Sequence, residues 1–288
     1  MIRADPVRRF ARAAVIPLAV GVVLVAGATI FAAVFQDRLI HLPSRISLEE
    51  LEAQANRLGV AVWPTADADH RGLLVEPAGG SVRGTVVVFH GNAGQALDRT
   101  YWSEAMAGLG WRTILAEYPG YGARDGRLGE AAFVADGLET LALVRGAFDG
   151  PIVLAGESLG AGVASGVAAA AAEHEIGVEG VLLVTPWADL ASLAGEKFPF
   201  LPVGLLLRDR YDTVANLGIA GLPTAICIAE EDQIIPPHHA ERLFASLEVP
   251  KRAWRFAGRG HNDWPIEPDA SWWREAMTFL APRPLDPR

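Results

Sequence analysis

The sequence has one cysteine, Cys227, in 288 residues. A single thiol excludes an internal disulfide and any metal site built from cysteines, and its position inside an apolar run reads as buried packing. Basic clusters are missing too, apart from arginines at the extreme N-terminus. Lys and Arg number 25 against 34 Asp and Glu, which leaves a formal charge of −9 and a pI near 5.3. Such a chain repels phosphates, so nucleic-acid binding is excluded. No internal repeat appears, and the only biased tract is the alanine run 168–172. No group of residues has metal-ligand spacing, and the chemistry argued below needs no cofactor. What is abundant is apolar surface: 51% of the residues are hydrophobic, enough for a substantial core in one large α/β domain or two small ones.

Charge is also missing locally. From Ala13 to Gln36 no residue carries one, and at about 1.5 Å per residue a helix of that length reaches roughly 36 Å, enough to cross a hydrocarbon core. Arg3, Arg8, Arg9 and Arg12 precede the segment and Asp37 follows it. That asymmetry places the N-terminus in the cytoplasm and the chain from about residue 37 on the other side. Residues 1–36 therefore read as a single-pass membrane anchor and 37–288 as the catalytic domain. A cleaved signal peptide, with Ala26-Gly27-Ala28 as the cleavage site, would leave a secreted or periplasmic protein and is the main alternative; a buried core helix is the other.

Beyond the anchor, "SLEELEAQANRLG" (47–59) has a serine start and a glycine stop, which predicts a short helix. Extended segments at Val60–Trp63 and Arg71–Val75 flank "TADADH" and predict an antiparallel hairpin. From Gly84 onward, short β-branched runs at 85–90, 111–118, 151–156, 180–185, 223–230 and 251–258 alternate with helix-length stretches at 95–109, 128–144, 158–172, 238–246 and 270–280. Strands that are apolar without interruption suit a parallel sheet covered on both faces. The expected fold is thus a doubly wound α/β sheet, with an insertion at about 186–220 between the fourth and fifth of these strands.

"GESLGAG" (156–162) falls where a predicted strand meets a predicted helix. A serine hydroxyl becomes a nucleophile only when a base removes its proton, and a tight strand-to-helix turn presents it for that purpose. Glycines two residues to either side of Ser158 permit such a turn, and the helix N-terminus behind it favours developing negative charge. A small polar residue in an ordinary bend is the competing reading, so the partners matter. The oxyanion needs two donors. Leu159 supplies one, and the loop in "VVVFHGNAG" (86–94) supplies the other from Asn92 or, failing that, Ala93. His90 precedes that turn and reads as a structural hydrogen-bonding residue. "CIAEEDQIIPP" (227–237) offers Glu230, Glu231 and Asp232, of which Asp232 opens the turn and is preferred. "FAGRGHNDWP" (256–265) sets His261 in a glycine-flanked loop after the last strand. His238 and His239 begin a helix and read as surface residues, while His41, His70 and His174 lie in polar segments with nothing to organise them. The order Ser158, Asp232, His261 is that of a nucleophile, an orienting acid and a general base.

With those residues identified, the chain resembles the α/β-hydrolase superfamily and, within it, the membrane-anchored Bem46-like or ABHD-type serine hydrolases. The likeness runs from about Phe35 to Leu280. It rests on "FQDRLIHLPSR", "VVVFHGNAG", "EYPGYGARDG" (117–126), "GESLGAG", "FPFLPVGLLLRDRYDT" (198–213), "EEDQIIP" and "GRGHND". It implies an α/β-hydrolase fold with a short helical cap, and a membrane-facing or extracytoplasmic hydrolase acting on small acyl esters or thioesters of lipid-like kind. A peptidase of the same fold and a catalytically silent interaction protein stand as alternatives. "TADADHRG" is less regular than the strand–turn–strand of relatives, so a reduced sheet edge is expected. Tyr118 and Tyr121, at the "EYPGYG" turn, and Trp187 are candidates to line the substrate site, with plain packing as the alternative. The apolar residues of the insertion, Phe198, Phe200, Leu201 and Leu205–Leu207, suit an acyl chain or a membrane surface, or seat the insertion on the sheet.

Overall fold

The computed structural model describes residues 6–65, 69–79 and 81–282. Arg3 of the basic N-terminus and Ala66–Ala68 of the hairpin connection lie outside the described residues. The first element, α1 (Pro6–Ile40), is a 35-residue helix. Within it Ala19–Ile40 is long and apolar enough to cross a membrane, and little of it is buried against the rest of the protein. A two-residue strand, β1 (Leu42–Pro43), leads to α2 (Leu48–Leu58). Here the serine and glycine signals act as expected. The Glu50 N–H donates to the Ser47 hydroxyl and the Ser47 N–H to the Glu50 carboxylate, while Gly59 closes the helix at φ 68°.

Eight strands form the main sheet. The hairpin β2 (Ala61–Trp63) and β3 (Gly72–Val75) supplies two short antiparallel edge strands. Next come β4 (Thr85–Phe89), the two-residue β5 (Ala93–Gly94) outside the sheet, a 3-10 turn at Ala96–Arg99, α3 (Thr100–Gly108) and β6 (Arg112–Ala116). They are followed by α4 (Glu130–Ala147), β7 (Ile152–Glu157), α5 (Leu159–Glu173) and β8 (Gly180–Val184). The insertion contributes α6 (Leu190–Lys197), α7 (Val203–Leu206) and α8 (Thr213–Ala220), and β9 (Thr224–Ala229), α9 (Pro237–Ser246), β10 (Lys251–Phe256) and α10 (Ser271–Leu280) complete the fold. The sheet order is β10-β9-β8-β7-β4-β6-β3-β2, parallel from β10 to β6.

The period of two in a strand explains why these strands are apolar throughout. In β4, Val87 and Phe89 join a cluster with Ile114, Val163 and Val167 on the side of α4 and α5. Val86 and Val88 join the opposite cluster, with Trp102 and Met106 of α3 and Trp273 of α10. Both faces are covered, so neither can be polar. The insertion divides in two. α8 lies on α5, with Leu217 fully buried, and belongs to the helical layer; α6 and α7 carry the exposed Phe198, Phe200 and Leu205 nearby.

Two features prepare the site. The parallel strands all end at one edge, which brings together loops far apart in sequence. The segment after α1 is laid across that edge: β1 pairs in parallel with β5, and Arg45 bridges to Gly122. His41 does not stand unorganised in a polar segment. It is buried, its Nδ1 lying 2.9 Å from the Asp37 carbonyl and its Nε2 3.2 Å from the Tyr211 hydroxyl, and burial holds its pKa below the usual histidine range against the pull of Asp209. His70 is buried as well, whereas His174 is exposed.

Candidate active site

β7 leaves the sheet through Gly156-Glu157-Ser158-Leu159-Gly160. A Cβ on Gly156 would stand 2.1 Å from the Gly160 carbonyl oxygen, and one on Gly160 would stand 2.0 Å from the Phe89 carbonyl oxygen. No side chain fits at either distance, so glycine is what allows α5 to start this close to β7 and β4. Between them Ser158 sits at φ 53°, ψ −118°, in a region L-residues avoid. Its N–H donates to the Val184 carbonyl at 2.9 Å, which ties the strained turn to the neighbouring strand.

Asp232 follows β9 and is buried, while Glu230 and Glu231 beside it are exposed. One Asp232 oxygen accepts the N–H groups of Ile234 and Ile235, each at 2.8 Å, and the other lies 2.6 Å from His261 Nδ1. The Nε2 of His261 is 3.0 Å from Ser158 Oγ. A carboxylate offers the ring only acceptor capacity, so Nδ1 carries the hydrogen and Nε2 is left to accept from the serine hydroxyl. The His261 loop is fixed from below by the Gly260 N–H, which donates to the Asp263 carboxylate at 2.5 Å.

These groups face a pocket of about 400 Å³ whose wall includes Asn92, Arg99, Tyr101, Thr185, Ile234 and Trp264. Asn92 is held from three sides. Its carbonyl accepts from the Leu42 N–H at 2.9 Å and the Tyr121 hydroxyl at 2.7 Å, and its side-chain amide donates to the Ile40 carbonyl at 3.2 Å. Leu159 buries its side chain in the core and opens α5, where first-turn amides have no acceptor within the helix. His90 braces the same loop internally, its ring lying between the Gly91 carbonyl at 2.8 Å and Glu117 at 2.9 Å.

Two residues considered for the substrate wall lie elsewhere. Tyr118 is buried, stacked on Phe133, and its hydroxyl donates to the His90 carbonyl at 2.7 Å. Trp187 is buried too, with its indole N–H donating to the Tyr211 carbonyl at 3.1 Å. Each ring finds a backbone acceptor inside the protein, which turns it away from the pocket. The wall instead uses residues that sequence reasoning missed. Glu157, next to Ser158, accepts from Arg99, from the Tyr101 hydroxyl at 2.5 Å and from the Trp102 indole at 3.4 Å. Burial, and then the adjacent carboxylate, raise the Tyr101 phenol well above its ordinary range, so it remains a donor. A charged residue at the buried end of an apolar strand was the available signal, because such a group needs partners. Glu157→Ala is expected to cost about 3 kcal/mol, seen as a fall in Tm of about 6–10 °C, because it leaves Arg99 partly buried and unpaired. Glu157→Gln, which can still accept, should lose less in the same thermal melt.

One further cluster was not legible. Glu196 of α6 meets His238 and His239 of α9, with imidazole nitrogens 2.8 and 3.1 Å from one carboxylate oxygen. The sequence suggested no group of metal-ligand type, yet these three ligand atoms lie within 4.8 Å of one another. His238 is exposed as expected, but His239 is buried, and burial lowers its pKa.

No family model matches the sequence. Over 258 residues the chain is 32% identical to the uncharacterized protein Rv2307c of Mycobacterium tuberculosis, covering 88% of this chain and 90% of that one. It is 25% identical over 211 residues to the lysophosphatidylserine lipase ABHD12 of Gallus gallus, covering 68% of this chain and 55% of that protein. The chain belongs to the ABHD-type α/β-hydrolases. The α/β-hydrolase fold is seen again in the ferulic-acid complex of Est1E from Butyrivibrio proteoclasticus, at a TM-score of 0.60 and 16% identity, over 75% of this chain and 98% of that one.

Proposed function

We propose that this α/β-hydrolase is a serine hydrolase that cleaves a carboxylic ester or thioester of a lipid-like substrate through an acyl-enzyme. One observation carries the reading: in an open pocket, the Ser158 hydroxyl lies 3.0 Å from an imidazole whose other nitrogen is 2.6 Å from a buried carboxylate. Ser158 Oγ attacks the carbonyl carbon as His261 Nε2 takes the hydroxyl proton, while Asp232 keeps the ring in the required tautomer. The Asn92 and Leu159 N–H groups donate to the oxyanion of the tetrahedral intermediate. As that intermediate collapses, His261 returns the proton to the leaving alcohol or thiol. It then deprotonates a water that attacks the acyl carbonyl, releasing the acid and restoring Ser158. The test is a p-nitrophenyl ester assay on the purified full-length protein. A burst of nitrophenol stoichiometric with enzyme supports the reading; peptide cleavage with no turnover of any acyl ester would overturn it.

Residues 1–36 serve in this reading as an anchor that holds residues 37–288, with their helical insertion, on the non-cytoplasmic face of the bilayer. The apolar stretch Ala19–Ile40 of α1 and the arginines on its N-terminal side support that orientation. Because Cys227 is fully buried, a cysteine placed at exposed Glu173 would be the reactive thiol. In Glu173→Cys, a membrane-impermeant maleimide should label the protein from outside intact spheroplasts, and the label should stay with the membrane fraction. Labelling only after lysis would reverse the orientation, and labelled protein free in the medium would mean that α1 is cleaved.

A further inference from the structure

An apolar cavity of about 920 Å³ lies outside the catalytic pocket, between α1 and the insertion. α1 forms one wall with Gly27, Phe31 and Ala32, and the insertion faces it with Leu193, Phe198 and Leu201. The space beside Gly27 is open, since a Cβ there would meet nothing within 4 Å. The wall is also fastened. Gln36 is buried at the end of α1, where its amide donates to the Leu206 carbonyl at 3.1 Å and its oxygen accepts the Arg208 N–H at 2.8 Å. Arg208 then pairs with Asp37 at 2.7 Å. Bonding the helix to the insertion through its own buried amide makes α1 part of a built cavity.

Ile234 connects this cavity to the chemistry. It lines the apolar cavity and the Ser158 pocket alike, and its N–H is held by Asp232, the carboxylate behind His261. At the other end the cavity borders the stretch of α1 that is long and apolar enough to cross a membrane. The adjoining insertion exposes Phe200 at 85% and Leu205 at 88%, the kind of apolar surface that water disfavours and a bilayer accepts. A ligand filling this space must be long and apolar at one end and must present a cleavable carbonyl beside Ile234.

Resting on the serine-hydrolase reading, we infer that the anchor helix is itself part of the substrate site: the long acyl chain of a membrane lipid ester passes sideways from the bilayer between α1 and the insertion and reaches Ser158 past Ile234. The acyl carbon bonded to Ser158 then carries its chain into the apolar cavity. The leaving alcohol departs through the polar pocket walled by Arg99 and Tyr101. Tethering and substrate selection are therefore performed by one helix.

The test compares palmitoyl and acetyl p-nitrophenyl esters with the full-length protein in phosphatidylcholine nanodiscs. Ala32→Trp and Ala194→Trp each place a large ring in the cavity from opposite walls. In both variants the palmitoyl-to-acetyl ratio of kcat/KM is expected to fall at least tenfold, mainly through KM. A fluorophosphonate that still labels Ser158 shows that the variant is folded. An unchanged ratio in labelled variants overturns the inference and leaves the hydrolase reading intact, whereas unlabelled wild-type protein removes the hydrolase reading itself. Should a variant fail to fold, a palmitoyl ester with a diazirine near its chain end is crosslinked to wild-type protein. Adducts on 27–36 and on 193–207 support the route, and adducts confined to the polar pocket overturn it.

Discussion

Ser158→Ala is expected to lower kcat for ester hydrolysis by about 10⁴- to 10⁶-fold while leaving the fold unchanged, the scale on which removal of a serine nucleophile acts. Only one atom is lost, and nothing in the core depends on it: the turn is held by backbone through the Ser158 N–H to the Val184 carbonyl. Asp232→Asn should approach the same loss, about 10⁴-fold, for a different reason. An amide nitrogen turned toward Nδ1 reverses the tautomer and puts the ring hydrogen on Nε2, facing the serine hydroxyl. The base then cannot accept the proton it needs. The two Asp232-bound amides of Ile234 and Ile235 still find an oxygen, so the loop should survive. Stopped assays with a short-chain ester, with circular dichroism as the control for folding, check both variants. Retention of more than a tenth of wild-type kcat by Ser158→Ala would mean that another group attacks the substrate.

Gly160→Ala should be among the most damaging single-methyl additions in the chain. The new Cβ would lie 2.0 Å from the Phe89 carbonyl oxygen and 2.6 Å from that of His90. Both neighbours are backbone at the end of a central strand, so relief requires α5 to move off the sheet. Overpacking of this kind costs about 3 kcal/mol or more, or roughly 6–12 °C in Tm, and displaces the loop that carries Asn92. Gly146→Ala is the contrast. That glycine lies exposed near the end of α4 with nothing within 4 Å of an added Cβ, so the methyl should stabilise by about 0.5–1 kcal/mol through reduced freedom of the unfolded chain. Thermal melts of the two variants should move in opposite directions. A Gly160→Ala protein with unaltered Tm and activity would contradict the account of the elbow.

The parts of the protein that could be read from its sequence are those where local pattern and global constraint coincide. Val86 to Phe89 are apolar at every position because both faces of β4 are covered, and no other environment explains such a run so simply. The glycines around Ser158 were legible because they recur at fixed spacing within five residues, even though only Gly156 is crowded from within the turn and Gly160 is crowded by the distant Phe89 carbonyl. The choice among Glu230, Glu231 and Asp232 turned on position in a turn, and the structure separates them by burial.

What escaped depends on partners distant in sequence. Tyr118 and Trp187 stand at strand ends, but which way each ring turns is set by the carbonyls of His90 and Tyr211. Arg99 meets Glu157 across 58 positions, and His238 meets Glu196 across 42. The short strand after the anchor pairs with the Asn92 loop by backbone alone, and its two residues, Leu42 and Pro43, announce nothing. His70 sits among polar neighbours in the sequence, and His41 lies between Ile40 and Leu42, yet both are buried, because long-range packing rather than local polarity decides exposure.

The central claim is that Ser158 is the nucleophile, and a covalent label tests it most directly. Full-length protein treated with a fluorophosphonate should gain the mass of one adduct, and tandem mass spectrometry of its peptides should place that adduct on Ser158, with none formed in Ser158→Ala. An adduct on a different residue, or folded protein that takes up no label, would contradict the account.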